Sequence, residues 1–346
     1  VNWPLPEEVQ VLVIANPKAG AGSGKERVER LINSLKRCGL APELIADLSN
    51  VGSRIATAQA SGRLRAVIGA GGDGTIAEII NRAPPRVPIA MMPLGTENLL
   101  AKYVDMPRSP EEVAEVIAAG ATVTHDAGRA GGRLFFLMVS CGFDAEVIRR
   151  LHEDRQGHIR HWSYFKPIWQ TIRSYEYPEL RVYCDVSDVR RDGAAAELPA
   201  GPDNAAESGA AEFEPRCDQP LGEPIRARFA FAFNIPRYAF GFQFAPRAEG
   251  DDGWLDVCTF GRGSFGHGLW YLLNVVAGRH HRLADCTMRR ARRIRIESDV
   301  PVPYNLDGDH CGYLPLDVEI VPEHLTLLVP PGWAERHEAS RSGFPA

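Results

Sequence analysis

Three uninterrupted apolar runs divide the first third of the chain: "VQVLVIANP", "LRAVIGAGG" and "VPIAMMPLG". Each is rich in branched aliphatic residues and ends in turn residues, which predicts strands of a parallel sheet buried on both faces. Helical periodicity separates them. In "GKERVERLINSLKRCG", Val28, Leu31, Ile32 and Leu35 share one face and the pattern stops at Gly39, while "TIAEIINRA" and "SPEEVAEVIAAG" supply two further helices, the second opening Ser-Pro-Glu-Glu and closing at Gly120. Strand alternating with helix predicts an α/β fold: a doubly wound parallel-sheet domain over residues 8–124 with the geometry of a nucleotide site.

The texture changes from Arg129. "RLFFLMVSCGF", "ELRVYCDV", "RARFAFAFNI", "WLDVCTF", "RRIRIES", "LDVEIV" and "LTLLVP" are short runs separated by turns, which predicts a β-rich, sandwich-like second domain over 125–321. The segment 322–335 is expected to pack back on the first domain, with a cleft between the two. One aromatic and basic helical stretch, "RHWSYFKPIWQTIRSY", interrupts the strands, and residues 187–223 are Ala, Gly, Pro, Asp and Glu with hardly an aromatic. That composition predicts a flexible insertion. There is no internal repeat.

Composition narrows the classes. A chain of 346 residues, 45% hydrophobic, has enough apolar material for two cores. Its formal net charge of −5 argues against a protein that coats nucleic acid, which needs a broad basic face. Seven cysteines without C-x-x-C spacing suit reduced thiols and a cytoplasmic location. "VNWPLPEEVQ" does not read as a signal peptide, and the absence of an initiating Met leaves upstream residues open. "GLWYLLNVVAG" falls well short of the ~20 residues that span a bilayer, so the expectation is a soluble protein or one resting on a membrane surface, without a transmembrane segment.

Candidate chemistry lies in three glycine-rich turns, each between a predicted strand and a helix: "NPKAGAGSGK" from Asn16, "GGDGT" from Gly71 and "PLGTENLLAK" with Thr96. The first misses the P-loop pattern, having Ala19 and Glu26 where Gly and Ser or Thr are required. In a doubly wound sheet such turns converge beyond the carboxyl ends of the strands, where ligands bind. Glycine admits phosphate close to the backbone, helix N-termini offer amides, Thr75 and Thr96 offer hydroxyls, and Lys18 or Lys25 offsets charge. Asp73 is the difficulty. A carboxylate aimed at phosphates needs Mg²⁺ and water between them; the alternative is an Asx turn or N-cap for "TIAE".

At these residues the sequence resembles the diacylglycerol kinase catalytic-domain family, which includes sphingosine and ceramide kinases and bacterial lipid kinases. The resemblance spans nearly the whole chain: "NPKAG", "GGDGTIAEIIN" with Glu78 and Asn81, "PLGTENLLA" with Asn98, "SCGFDAEV" with Asp144, "APRAEGDDGWLDV", and "NLDGD" with Asp307 and Asp309. It implies transfer of the ATP γ-phosphoryl group to a lipid hydroxyl in the interdomain cleft. Asn16, Pro17, Lys18, Ala19, Gly20, Gly71, Gly72, Asp73, Gly74, Thr75 and Thr96 would contact the nucleotide, Asp307 would take the hydroxyl proton, and Asp73 would act beside it. The alternative for Asp307-Gly308 is a hairpin turn. "EGDDGW" resembles a structural Mg²⁺ site, with the Asp252 carboxylate and the carbonyls of Glu249 and Trp254 as ligands; its alternative is a plain turn.

The third loop departs from the pattern by carrying Glu97 and Leu99, Arg82 follows Asn81 where Gly is common, and Asp309 replaces Glu. The expected reaction is an ATP- and Mg²⁺-dependent lipid phosphorylation, first of diacylglycerol, then of sphingoid bases. A NAD kinase and a non-catalytic nucleotide-binding module are the competing readings, and a homodimer stays open. The basic run from Arg279 to Arg295 is either a membrane-facing patch or the solvated face of a strand. The helix with Trp162, Tyr164, Phe165, Ile168 and Trp169 lines an acyl-chain pocket or belongs to the core.

Overall fold

In a computed structural model the described residues are 9–15, 23–153, 165–185, 221–238 and 241–342. The first domain runs β1 (Gln10–Ala15), α1 (Ser23–Arg37), β2 (Ala41–Ile45), α2 (Val51–Ala60), β3 (Leu64–Gly71), α3 (Asp73–Ile80), β4 (Pro88–Pro93), α4 (Leu99–Tyr103), α5 (Pro110–Ala119) and β5 (Thr122–Ala130). The second continues β6 (Arg133–Phe135), β7 (Met138–Gly142), α6 (Phe143–Glu153), α7 (Phe165–Ser174), β8 (Leu180–Cys184), β9 (Ile225–Ala227), β10 (Phe229–Phe233), β11 (Arg237–Tyr238) and β12 (Phe242–Gln243). It ends with β13 (Leu255–Phe260), α8 (Phe265–Val276), β14 (Cys286–Ala291), β15 (Arg293–Glu297), β16 (Pro303–Leu306), β17 (Asp309–Tyr313), β18 (Leu316–Leu328) and α9 (Pro331–Ser342).

The parallel core forms where the apolar runs lie: β1 pairs with β2 and β3, and β3 with β4, all parallel. Helix α5 carries the signals that define it. The Ser109 side chain accepts from the Glu112 amide, Pro110 occupies the first turn, and Gly120 at φ 73° closes the helix.

Strand β18 joins the domains. "LDVEIV" and "LTLLVP" form one strand rather than two, with an irregularity between Val321 and Leu325. Leu316, Val318 and Ile320 belong to the core of the β-rich domain, whereas Leu325, Leu327 and Leu328 belong to the core shared with the parallel sheet. Its far end pairs parallel with β4 and antiparallel with β5, and α9 follows, where the Trp333 indole donates to the Tyr103 carbonyl at 3.1 Å.

The second sheet, ordered β14-β13-β10-β7-β16-β17, is antiparallel. Its centre is β10, "FAFAF". Ala230 and Ala232 face the sandwich core, and Phe229, Phe231 and Phe233 face the other cluster, the two-residue period of a strand buried on both sides. Strand β14 is an element the sequence patterns did not mark, and the hairpin turn offered for Asp307-Gly308 joins β16 and β17. Asp185 and Leu221 form a β-bridge, so the predicted insertion departs and returns at neighbouring points, although residues 186–220 lie outside the described residues.

Trp162 and Tyr164 also fall outside the described residues, whereas Trp169 on α7 is 51% exposed and not part of the core. In β15, Ile294 and Ile296 are buried and the arginines alternate outward, with Arg295 held by Glu297 and Asp317. Within β15, therefore, the basic run is the polar face of a strand, whereas Arg279 and Arg282 lie outside both β14 and β15.

Candidate functional site

The site is built on glycine contacts between two loops. β3 ends at Gly71, whose carbonyl accepts from the Leu94 and Gly95 amides at 2.8 and 3.2 Å, tying the "GGDGT" turn to the turn after β4. A methyl on Gly95 would lie 2.6 Å from the Gly72 Cα, and one on Gly71 would lie 2.1 Å from the Thr75 hydroxyl oxygen. Both positions therefore need glycine for space. Asn98, at φ 49°, locks the second turn by accepting from the Gly95 amide at 3.0 Å and donating to the Gly95 carbonyl at 2.7 Å. Asn98 thus shapes its own loop, and Thr96 at the tip is exposed. Asn16 to Gly20 lie outside the described residues.

Asp73 departs from the expectation of an Asx turn or N-cap for its own helix. It begins α3, the N-cap position belongs to Gly72, and its carboxylate turns across the site to accept from the Leu99 and Leu100 amides at 2.9 and 3.2 Å. It caps α4, 26 residues downstream, instead of its own helix. The Thr75 and Ile76 amides donate to the Gly72 carbonyl at 2.9 and 3.4 Å, and the amides before them form the donor end that a helix N-terminus offers to an anion. Burial raises the Asp73 pKa, opposed by the two amides and by Lys102 and reinforced by Glu97.

The two unfamiliar residues of the neighbourhood are neutralised locally. Lys102 Nζ is 3.3 Å from Glu97 Oε2, which turns that carboxylate into an ion pair. Arg82 lies 2.7 Å from Glu78, with Arg133 at 3.7 Å on the other oxygen. Asn81 donates to the Ala77 and Leu134 carbonyls and accepts from the Leu134 amide, stitching α3 to β6.

Asp307 comes from the second domain. It and Gly308 form the turn of the β16–β17 hairpin with φ of 53° and 89°, as the hairpin reading has it. Its Oδ2 accepts from the Phe136 amide at 3.0 Å, and its Oδ1 accepts from Leu137 at 2.8 Å and Met138 at 3.0 Å. Burial drives the Asp307 pKa up to about 7, against those three amides, and the charge of Asp73 pushes the same way. The hairpin reaches the glycine loop: Asp309 Oδ2 is 3.9 Å from where a Gly74 Cβ would stand. Asp309 Oδ1 is 3.4 Å from His152 Nε2.

Behind the hairpin lies a polar network that sequence reasoning touched only at Asp144. Its Oδ2 accepts from Ser140 Oγ at 2.6 Å, the Tyr238 hydroxyl at 2.9 Å and Asn305 Nδ2 at 3.1 Å, and burial raises its pKa. Asn305 in turn accepts from the Gly308 amide at 3.2 Å. Asn305 could have been found as the buried polar residue two before Asp307; Tyr238, Lys102 and His152 had no sequence signal.

The expected Mg²⁺ ligands do not fit a metal. Asp252 Oδ1 accepts from the Trp254 amide at 3.0 Å, and Oδ2 is held by the Arg290 guanidinium, which also lies 3.7 Å from Asp256. Both carboxylate oxygens are engaged, and a guanidinium stands where a divalent cation would need to be. Glu249 is exposed, and among the described residues no cluster of three His, Cys, Asp or Glu could hold a metal ion. The loop is fastened by other means. Asp126 accepts from the Gly253 amide at 2.7 Å, and Asp251 is 2.9 Å from His337 and 2.6 Å from Arg341.

Among the described residues no helix is long and apolar enough to cross a membrane, and the six described cysteines are free.

Comparisons with known proteins agree with this architecture. Residues 10–130 match the profile of the diacylglycerol kinase catalytic domain, and residues 137–329 match the YegS C-terminal NAD kinase beta sandwich-like domain. A diacylglycerol kinase of Mycobacterium tuberculosis is 25% identical over 330 residues, covering 93% of this chain and 95% of its own. One from Bacillus subtilis is 20% identical over 330 residues, covering 94% and 97%. The crystal structure of a diacylglycerol kinase from Bacillus anthracis superposes with a TM-score of 0.61 at 18% identity, covering 93% of this chain and 97% of that one. With its parallel-sheet first domain and β-rich second domain, the chain belongs to the diacylglycerol kinase catalytic-domain family.

Proposed function

We propose that this protein is an ATP-dependent lipid kinase, a phosphotransferase acting on an alcohol group, with diacylglycerol as its substrate class. The observation that carries the reading is the meeting of the Asp307 hairpin with the glycine turn at Gly71 to Thr75, seen in the 3.9 Å approach of Asp309 to Gly74. It brings an acid with a raised pKa beside amide-rich loops that fit a polyphosphate. The relatives named above bear the name diacylglycerol kinase, which agrees with that chemistry.

In the proposed reaction, the turns at Gly71 to Thr75 and around Thr96 hold the triphosphate through backbone amides and hydroxyls, together with Asn16 to Gly20. The lipid oxygen attacks the γ-phosphorus, its proton passes to the Asp307 carboxylate, and the bond from the γ-phosphorus to the bridging oxygen breaks to release ADP. Asp307 Oδ2 accepts one amide and retains a lone pair for that proton. The three amides fix the carboxylate in place, which serves the positioning such a reaction requires. Mg²⁺ accompanying ATP supplies charge neutralisation at the phosphates. Asp73 acts as a positioning residue, because its cap on α4 sets the loop from Gly95 to Leu99.

The test offers labelled ATP to diacylglycerol, sphingosine and NAD in parallel. Label in phosphatidic acid supports the proposal; label in NADP, or in none of the three while ATP is bound, overturns it.

A further inference from the structure

Large exposed apolar side chains are concentrated on one element. Six of the ten among the described residues, Phe265, Leu269, Trp270, Leu272, Leu273 and Val276, lie on α8, each two-fifths or more exposed. Five of them recur at the spacing of one helical face, with Trp270 on its flank. The helix is well formed. Ser264 accepts from the His267 amide, Gly278 at φ 65° follows the C-terminus, and Tyr271 and Val275 are buried on the inner side. An apolar outer face on a capped, firmly packed helix marks an interaction surface.

Charge identifies what covers it. Between Val257 and Ala284 the sequence has no Asp or Glu, although the protein as a whole carries a net charge of −5. Exposed arginines flank the apolar face, Arg279 and Arg282 after the helix and, before it, Arg262, which lies 3.4 Å from Asp285. Apolar residues with an aromatic at the margin, bordered by cations, match a helix lying in the interface of an anionic bilayer. We propose that α8 is the membrane-docking element of this protein, its outer face entering the headgroup region of an anionic lipid surface. This deepens the lipid-kinase reading and rests on it only for purpose. Helix α8 packs on β12, whose hairpin partner β11 packs on α4, the helix capped by Asp73. Tyr238 of β11 also bonds Asp144. A surface docked on α8 is thereby linked through β12 and β11 to the helix that frames the site.

The test is flotation of the nucleotide-free full chain with vesicles of phosphatidylcholine alone and of phosphatidylcholine mixed with phosphatidylglycerol. The wild type is expected to float with the anionic vesicles. Replacing Leu269→Glu and Leu273→Glu together lowers that partition by at least about tenfold, because two interfacial side chains are withdrawn and two anions added. Thermal melting of the double variant stays near that of the wild type, since both residues face outward, and turnover of a short-chain diacylglycerol in detergent micelles is retained. Arg279→Glu with Arg282→Glu weakens binding to anionic vesicles selectively. Wild-type protein that does not float, or a double variant that floats equally well, overturns the proposal. So does a wild-type dimer that the double variant dissociates without any vesicle binding, because the face then belongs to a second copy. Failure of phosphate transfer with flotation intact overturns the kinase reading and leaves the docking surface standing.

Discussion

Gly72 and Gly95 meet backbone to backbone, so closely that a single methyl on Gly95 would stand 2.6 Å from the Gly72 Cα and 2.8 Å from Asn98 Oδ1. Because the neighbours are backbone and a side chain already engaged in two hydrogen bonds, the loops must part to admit it. Gly95→Ala is expected to destabilise the protein by about 1–3 kcal/mol and to weaken ATP binding at the same time. Thermal melting and nucleotide titration on the same preparation check this, and unchanged values for both would mean that the loops are not in contact.

Lys102 neutralises Glu97 near Asp73. Both partners are about a third exposed or less, and removing the lysine leaves the Glu97 carboxylate uncompensated in the loop proposed to hold the phosphates. Lys102→Ala is expected to weaken ATP binding by about fivefold, on the order of 1 kcal/mol. The double variant with Glu97→Ala should recover most of it. Isothermal titration of ATP into the single and double variants gives the coupling.

Two carboxyl groups, Asp307 and Asp256, have pKa values pushed up to about 7, in each case chiefly by burial. The sign follows from linkage. A group whose folded pKa is raised stabilises fully below its unfolded value near 4, and that contribution is lost as pH rises through about 7. In nucleotide-free protein these two groups therefore favour folding more at about pH 5 than at about pH 8. Melting temperature plotted against pH should fall less steeply in Asp307→Asn than in the wild type. Activity moves oppositely, since the deprotonated Asp307 accepts the proton, and turnover is expected to rise with an apparent pKa near 7.

Arg290 stands between Asp252 and Asp256 and stacks near the Trp254 ring at 5.7 Å, with Arg292 at 4.4 Å from the same ring. Without nucleotide, the wild-type melting temperature is expected to be the same in Mg²⁺ and in EDTA. Arg290→Ala leaves the Asp252 carboxylate without its guanidinium and should destabilise by about 1–2 kcal/mol, reduced from the fully buried case by the solvent exposure of the pair. Added Mg²⁺ should then stabilise the variant and not the wild type. A saturable Mg²⁺ shift in the wild type contradicts the assignment.

What was legible in the sequence followed the range over which each feature acts. The strands β1, β3 and β4 and the caps of α5 are specified within a few residues, and they form as patterned. Two of the three glycine turns, at Gly71 to Thr75 and at Gly95, meet in the structure, because glycine records a steric demand at its own position, as at Gly95; the first, Asn16 to Gly20, lies outside the described residues. Partners far along the chain left no trace. Asp73 finds its amides 26 and 27 residues away, and Asp252 its guanidinium 38 residues away. No local spacing could distinguish a carboxylate awaiting a metal from one already held by arginine. The turn at Asp307-Gly308 was legible as a hairpin, whereas its strands were not, because "PYNLDGDHCGY" lacks the apolar alternation of a strand, its polar residues Asn305 and Asp307 being satisfied by β7 and α6.

The most direct measurement is phosphate transfer from labelled ATP to a short-chain diacylglycerol in mixed micelles, run on the wild type and on Asp307→Asn, with ATP affinity measured on both. The account predicts labelled phosphatidic acid from the wild type, and from Asp307→Asn none above background at nearly unchanged ATP affinity. Equal turnover by the two proteins, or no lipid labelled by a wild type that binds ATP, contradicts it.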